Sequence, residues 1–283
     1  TPEEINSLPG SEVKSKRTRS SKTYALGNGL YQAVIYPEAV HCRNDKGEWE
    51  DIDHSLQRDG NVLMDQSGDL SVQLAPGGSV TLEKDHFRLS WEMVGAAPVF
   101  PEAENQAVPY PRHKKEKRHE NRVLYHHVLP DVDFICHLLP NAFKDTLIFH
   151  SPEALRTVDF ALHAPGMELE MEVTGDVIAK AKDRIIFRLP KPAVVDENGE
   201  RMENTASAQL LPATDDRWIL RYQVDPEFAQ TASFPLLLDP VVKTEKTTSS
   251  MQMAYTSSKN PTTNYPVTGY STKVAYNDYT YGK

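Results

Sequence analysis

Apolar and polar residues alternate with period two in one short segment after another along this chain. In FRLSWEM (87–93), Phe87, Leu89, Trp91 and Met93 share one face, and Arg88, Ser90 and Glu92 share the other. MELEMEV places Met167, Leu169, Met171 and Val173 inward and Glu168, Glu170 and Glu172 outward, and RWILRYQV puts Trp218, Leu220, Tyr222 and Val224 on one face. Leu70, Val72 and Leu74 alternate with Ser71 and Gln73. Tyr31, Ala33 and Ile35 share a face, as do Ile185, Phe187 and Leu189. Successive side chains of a strand point to opposite sides, so this pattern predicts half-buried antiparallel strands. NDKG (44–47), PGG (76–78), TGD (174–176) and DENGE (196–200) supply the turns between them. Helix signals are few: in DPEFAQTA (225–232), Asp225 can cap and Pro226 can open a turn or two. The reading is an all-β chain, with two antiparallel sandwich- or barrel-like lobes and little helix.

Where the alternation stops, a boundary is expected. Residues 1–22 are polar, carry five basic residues between Lys14 and Lys22, and read as a flexible basic tail. Residues 23–100 form a first lobe. The Pro-rich and then basic stretch 101–122, ending in RHKKEKRHENR, reads as an exposed linker or loop, and 123–243 form a second lobe. A basic patch for an anionic wall polymer is the functional alternative for that linker.

Charge and composition narrow the partners. The chain has 283 residues, 31 Lys and Arg against 40 Asp and Glu, and a net charge of −9. That balance argues against nucleic acid as a general partner, because phosphate binding needs basic surface. No apolar run approaches the ~20 residues that would span a bilayer. TPEEINSLPG lacks the apolar core of a signal peptide, and the abrupt end NDYTYGK reads as that of an excised fragment. Cys42 and Cys136 match no zinc spacing, and either a disulfide or two buried thiols fits them.

The densest concentration of chemistry-bearing residues is YHHVLPDVDFICHLLPNAFKDTLIFHSP (125–152), with four His, three Asp and one Cys. As a strand, 131–139 points Val132, Phe134, Cys136 and Leu138 one way and Asp131, Asp133, Ile135 and His137 the other. Asp133 and His137 are then about 13 Å apart at roughly 3.3 Å per residue, too far to share a metal. His126 and His127 face opposite sides. After the PNA turn, FKDTLIFH forms the second arm of a hairpin, which brings His150 near Asp133. The stretch therefore reads as structural, with no metal and no cofactor. DIDHS (51–55) lacks an opposed carboxylate, and the stripe Glu168, Glu170, Glu172 reads as a solvated strand face. Phosphate-loop, nucleophile-elbow and zinc-protease motifs are absent from the sequence. Aromatics that could contact a sugar are Trp49, Tyr110, Tyr270 and Tyr276, with Tyr265 and Tyr279 as further candidates.

Four stretches in order carry a resemblance. They are TYALGNGLYQAVIYPEAVHCRNDKGEWEDIDHSL (23–56), the His- and Asp-rich block, PLLLDPVVKT (235–244) and AYTSSKNPTTNYPVTGYSTKVAYNDYTYGK (254–283). Together they resemble the region preceding a DNRLRE-type module in large bacterial Rhs/YD-repeat, wall-associated, polymorphic-toxin-like surface proteins. Departures are Asp131 and Ala142, where that pattern favours Gly, and Cys42, where it favours Tyr. The resemblance implies an all-β, extracellular or cell-surface segment, with 244–283 as the truncated start of a jelly-roll-like module. This tail is expected to be extended or to pair with a neighbouring chain. Trp49, Asp51, Asp53, Asp133 and Asp239 read as turn- and strand-fixing residues.

These readings converge on a non-enzymatic structural or adhesion module of a secreted or cell-surface bacterial protein. The alternatives are a carbohydrate-binding, lectin-like module and, further off, a glycan-active hydrolase or lyase. Expected partners are the rest of the parent polypeptide and cell-wall or host polysaccharide, with no nucleic acid and no membrane insertion.

Overall fold

The alternating segments become short strands in the computed structural model. It describes residues 10–244 except 28, 37–38, 111–112, 140–141, 156, 196–200, 203 and 240, and of 105–121, 201 and 241–244 it describes the backbone alone. β1 (Ser11–Glu12), β2 (Ser21–Gly27) and β3 (Leu30–Ile35) pair in that order. β4 (His41–Arg43) and β5 (Trp49–Asp51) form a separate hairpin closed by NDKG. A meander follows: β6 (Gln57–Asp59), β7 (Val62–Asp65), β8 (Ser71–Ala75), β9 (Ser79–Lys84) and β10 (Phe87–Met93). β11 (Glu102–Tyr110), β12 (His113–Leu129), β13 (Val132–Leu139) and β14 (Ala142–Phe149) make a second, longer meander, and β15 (Val158–His163) then returns to pair with β10. β16 (Glu168–Met171), β17 (Val177–Ala181) and β18 (Arg184–Leu189) come next, with the short β19 (Val194–Val195) and β20 (Arg201–Met202). The hairpin of β21 (Ala206–Thr214) and β22 (Arg217–Val224) precedes a one-turn helix α1 (Pro226–Ala229), then β23 (Leu236–Leu238) and β24 (Val241–Thr244).

The chain is nearly all β, built from several antiparallel sheets, and none of them closes into a barrel. One large sheet has the order β21-β22-β15-β10-β9-β8-β7-β6. The other runs β11-β12-β13-β14-β24-β18-β17-β16, with β23 bridging β14 to β19. α1 is capped as its sequence predicts: Asp225 accepts the Glu227 amide at 2.8 Å beside Pro226.

The two large sheets share one core. Leu74, Val80, Leu82 and Leu89 of the first and Val123, Tyr125, Phe134 and Phe143 of the second are all sealed from solvent. Burying each such side chain contributes roughly 1.5–3 kcal/mol. Trp91 on β10 meets Phe143 on β14 edge-to-face, with ring centroids 5.7 Å apart. The Tyr125 hydroxyl donates to the Ala75 carbonyl at 3.0 Å, joining β12 to β8. Beside it Gly78, at φ +70°, lets the chain pass against Phe134, where a Cβ would stand 3.2 Å from the ring.

Several local expectations shift. Residues 10–22, read as tail, begin the β1–β3 sheet, and Arg17 and Lys22 are buried at 8% and 3% exposure. Their charges are neutralised by acids brought from elsewhere in the chain, which the local composition does not show. Residues 102–110 and 113–129, in the stretch read as linker or loop, pair as a hairpin at the end of a sheet. Pro109 is tolerated there because β11 is an edge strand. The face of Tyr31, Ala33 and Ile35 is exposed, and Val34 on the opposite side is buried in a small cluster with Tyr24, Tyr36 and Val40. Met167 and Leu169 point inward, but Met171 and Val173 are exposed because β16 ends at Met171. A register shift between Ala179 and Lys180 accompanies the burial of both Ile186 and Phe187. Cys42 and Cys136 are free thiols.

Candidate functional site

The His- and Asp-rich stretch resolves into a hairpin whose polar groups pair among themselves. β13 and β14 align Asp133 with Ile148, so His150 just past the strand reaches back, and its Nε2 lies 2.9 Å from Asp133 Oδ2. A register shift between Tyr125 and Leu129 leaves His127 at φ +52°, and its amide donates to Asp133 Oδ1 at 2.8 Å. His126 Nδ1 approaches the same carboxylate at 3.5 Å. Burial opposes ionisation of Asp133, but the His127 amide and the His150 imidazole outweigh it and hold its carboxyl below the usual range. Asp131 adopts φ +59°, the conformation that a Gly would take there and that Asp tolerates. His137 lies between Arg122 and Lys144 on the neighbouring strands. Burial and those two cations push it down to about 4, so it stays neutral. Among the described residues, no group of three or more His, Cys, Asp or Glu is placed to hold a metal ion.

A broad cleft lies elsewhere, at Trp49. It encloses about 710 Å³ and is lined by Lys14, Ser15, Arg17, Arg43, Gly47, Glu48, Trp49, Glu50 and Asp51. The NDKG turn shapes one wall. Asn44 Oδ1 accepts the amides of Lys46 and Glu48 at 3.0 and 2.9 Å, Gly47 supplies φ +76°, and Arg43 donates to the Gly47 carbonyl. The Arg43 guanidinium lies 3.9 Å from the centroid of the Trp49 ring, a cation–π stack.

Beneath it is an ion network. Arg17 donates through Nε and Nη2 to both Glu12 oxygens at 2.7 Å, through Nη2 to Asp51 at 2.8 Å, and through Nη1 to the Trp49 carbonyl at 3.2 Å. Lys22 Nζ adds a second cation 2.5 Å from Asp51. Burial opposes ionisation of Glu12 and Asp51; Arg17 and Lys22 prevail and lower both. His41 donates from Nδ1 to the Thr18 carbonyl at 2.5 Å. Its Nε2 is buried without a hydrogen bond, 3.6 Å from Asp51 Oδ1. Burial, with Arg17 adding to it, lowers the His41 imidazole against the pull of Thr18 and Asp51. The cleft thus presents a clamped aromatic–guanidinium pair between Lys14 and the carboxylates Glu48 and Glu50, on a rigid charged floor.

The aromatics named from sequence fare unevenly. Trp49 is in the cleft. Tyr110 is in β11, where the backbone alone is described, and Tyr265, Tyr270, Tyr276 and Tyr279 lie outside the described residues. Asp51 and Asp133 anchor the contacts above. Asp239 accepts from Lys144 at 3.0 Å and from Thr146 at 3.2 Å, tying β14 to the end of β23. Sequence reasoning missed the trio of His54, Asp65 and Ser67. His54 Nδ1 lies 2.6 Å from Asp65 Oδ2, and Ser67 Oγ donates to Asp65 Oδ1 at 2.6 Å. In a nucleophilic triad the serine sits on the imidazole nitrogen remote from the aspartate. Here it bonds the aspartate itself, so the trio fixes the β7–β8 turn. The juxtaposition of DIDHS and MDQS along the chain hints at it, but eleven residues separate His54 from Asp65.

No family model matches the chain. Among curated proteins it is 23% identical over 279 residues to "tRNA(Glu)-specific nuclease WapA" of Bacillus subtilis subsp. natto (strain BEST195), covering 93% of this chain and 11% of that one. It is 22% identical over 279 residues to "tRNA nuclease WapA" of Bacillus subtilis (strain 168), covering 93% and 12%. It is 23% identical over 218 residues to the "Wall-associated protein" of Geobacillus stearothermophilus, covering 72% and 80%. The chain spans about a tenth of the length of the nuclease relatives. These relatives overturn two expectations, that no enzymatic activity is involved and that nucleic acid is not a partner, because they are named for cleaving tRNA. A net charge of −9 averaged over the chain does not fix the charge of a local surface. This chain is thus similar over nine-tenths of its length to part of proteins named as tRNA nucleases, and over 72% of it to a protein named as wall-associated.

Proposed function

We propose that this chain is a folded β segment of a larger wall-associated protein of the tRNA-nuclease kind. It acts at the cell surface or outside the cell, and the polypeptide to which it belongs cleaves tRNA. The observation that carries the reading is the similarity over 93% of the chain to the nuclease relatives, together with that to a wall-associated protein. No helix among the described residues is long and apolar enough to cross a membrane.

The cleft at Trp49 supports an adhesive role for the segment. Its Arg43–Trp49 stack suits a sugar-phosphate polymer of the wall, with the guanidinium for phosphate and the indole edge for a sugar. The test is sedimentation of the purified chain with bacterial cell walls, alongside Trp49→Ala and Arg43→Ala. The chain is expected to sediment with walls, and each variant to bind about tenfold more weakly. A chain that stays in the supernatant refutes wall association, and variants that bind as well as wild type refute the cleft. Incubating the whole parent polypeptide with total tRNA tests the nuclease reading, which intact tRNA would overturn.

A further inference from the structure

Between the two large sheets lies a carboxyl group that neither the cleft nor the ion network uses. Asp145 points from the middle of β14 into the shared core, with 5% of the residue exposed, and its Oδ1 has no hydrogen-bond partner. It lines a cavity of about 10 Å³, room for roughly one water, together with Trp91, Phe160, Leu162, Leu220 and Tyr222 of the facing sheet. Leu189 of β18 completes the wall. A carboxylate in such surroundings carries a desolvation cost that no hydrogen bond to Oδ1 offsets.

We propose that Asp145 is a proton-operated latch in the sandwich core: neutral, it lets the two sheets close over it, and ionised, it draws water between them and loosens their contact. The proposal is independent of the wall-association reading. Of the titratable groups that act on Asp145 among the described residues, two are held neutral, one favours the same behaviour and one opposes it. Cys136, its partner across β13, and Tyr222 on β22 are both pushed up by burial and by Asp145 itself, so neither ionises alongside it. Asp239 raises Asp145 further, while Lys144, engaged with Asp239 at 3.0 Å, lowers it only in part. With burial the largest contribution, Asp145 is pushed up to about 7 from its usual 3.8.

The sign follows from proton linkage. The folded chain keeps a proton that the unfolded chain has lost above pH 3.8, so this group's contribution to stability is fully present below that value. It is lost as pH rises to about 7 and stays lost above. The unfolding equilibrium constant should therefore rise about tenfold per pH unit across that window. The local loosening appears at its upper end, where charge first forms in the folded state.

The experiment is an infrared titration of the full chain, paired with amide hydrogen exchange and fluorescence. Wild type should show a protonated-carboxyl band that disappears with a midpoint near 7, a matching change in Trp91 emission, and exchange at β14 and β22 that accelerates about tenfold beyond intrinsic base catalysis between pH 6 and 8. Asp145→Asn, which mimics the neutral acid, should abolish all three, and Asp145→Leu provides a second uncharged variant should the amide disturb folding. A band absent at pH 6, or identical exchange profiles in wild type and variant, would overturn the proposal. The infrared reading on wild type decides even if both variants misfold.

Discussion

Replacing Arg17 with Met should cost far more than losing a surface charge, and the geometry says why. The guanidinium side chain is 5% exposed and makes four donations, two of them to Glu12, whose side chain is 14% exposed. Removing it takes both of these side-chain hydrogen bonds from the Glu12 carboxylate and a donor from the Trp49 carbonyl, leaving Glu12 the weaker influence of Lys22 and of His41 Nε2 at 3.9 Å. Asp51 suffers less, since it keeps Lys22 at 2.5 Å and its side chain is 44% exposed. Breaking a buried pair typically costs 3–5 kcal/mol, and the retained Lys22 contact places this case at the lower end, about 3 kcal/mol. Glu12→Gln in the Arg17→Met background removes the stranded charge, so the double variant should recover about 2 kcal/mol of that loss. Urea unfolding of the four proteins in the cycle, followed by far-ultraviolet dichroism, measures the coupling. A single-variant loss under 1 kcal/mol with coupling near zero would mean that the network behaves as a screened surface pair, and the reasoning would fail. The same variant should raise the His41 titration midpoint, because Arg17 helps to hold it down. Proton NMR of the imidazole checks the direction.

Three further outcomes are expected. Glu12, Asp51 and Asp133 are all lowered in the folded chain, so their stabilisation is present above the ordinary carboxylate range and drains away as pH falls through their folded values. Wild type should lose stability in acid below about pH 4, and Asp133→Asn should lose less of it there, as read by thermal melts from pH 2.5 to 6. Tyr125→Phe deletes the hydroxyl that bonds Ala75 across the sheets and should cost about 1–2 kcal/mol in denaturant unfolding; an unchanged midpoint would show that the bond contributes nothing. Gly78→Ala meets both a positive φ and a Cβ contact at 3.2 Å with Phe134, so a loss of about 1–2 kcal/mol is expected, and a stabilised variant would contradict the packing described.

The strands of regular alternation and the capped turn at Asp225 were determined by the sequence itself, because period-two alternation and cap geometry depend on neighbours a few residues away. The His150–Asp133 contact was legible for the same reason: one hairpin brings the two together. Trp49 was recognisable as an aromatic but not as the partner of Arg43 over a floor made by Arg17, which comes from 32 positions away. The buried state of Arg17 and Lys22 was decided by tertiary structure, since only folding delivers Asp51 to them and so neutralises charges that locally read as a solvated tail. Which alternating face turned inward was decided there too. Tyr31 and Ile35 are as apolar as many core residues, yet the cluster of Tyr24, Val34, Tyr36 and Val40 forms on the other face of β3 and leaves them exposed. The pairing of β10 with β15 and of β14 with β24 joins residues about 70 to 100 positions apart. Sequence pattern carries no record of such pairings, because the hydrophobic drive that makes a strand bury one face is the same whichever partner covers it.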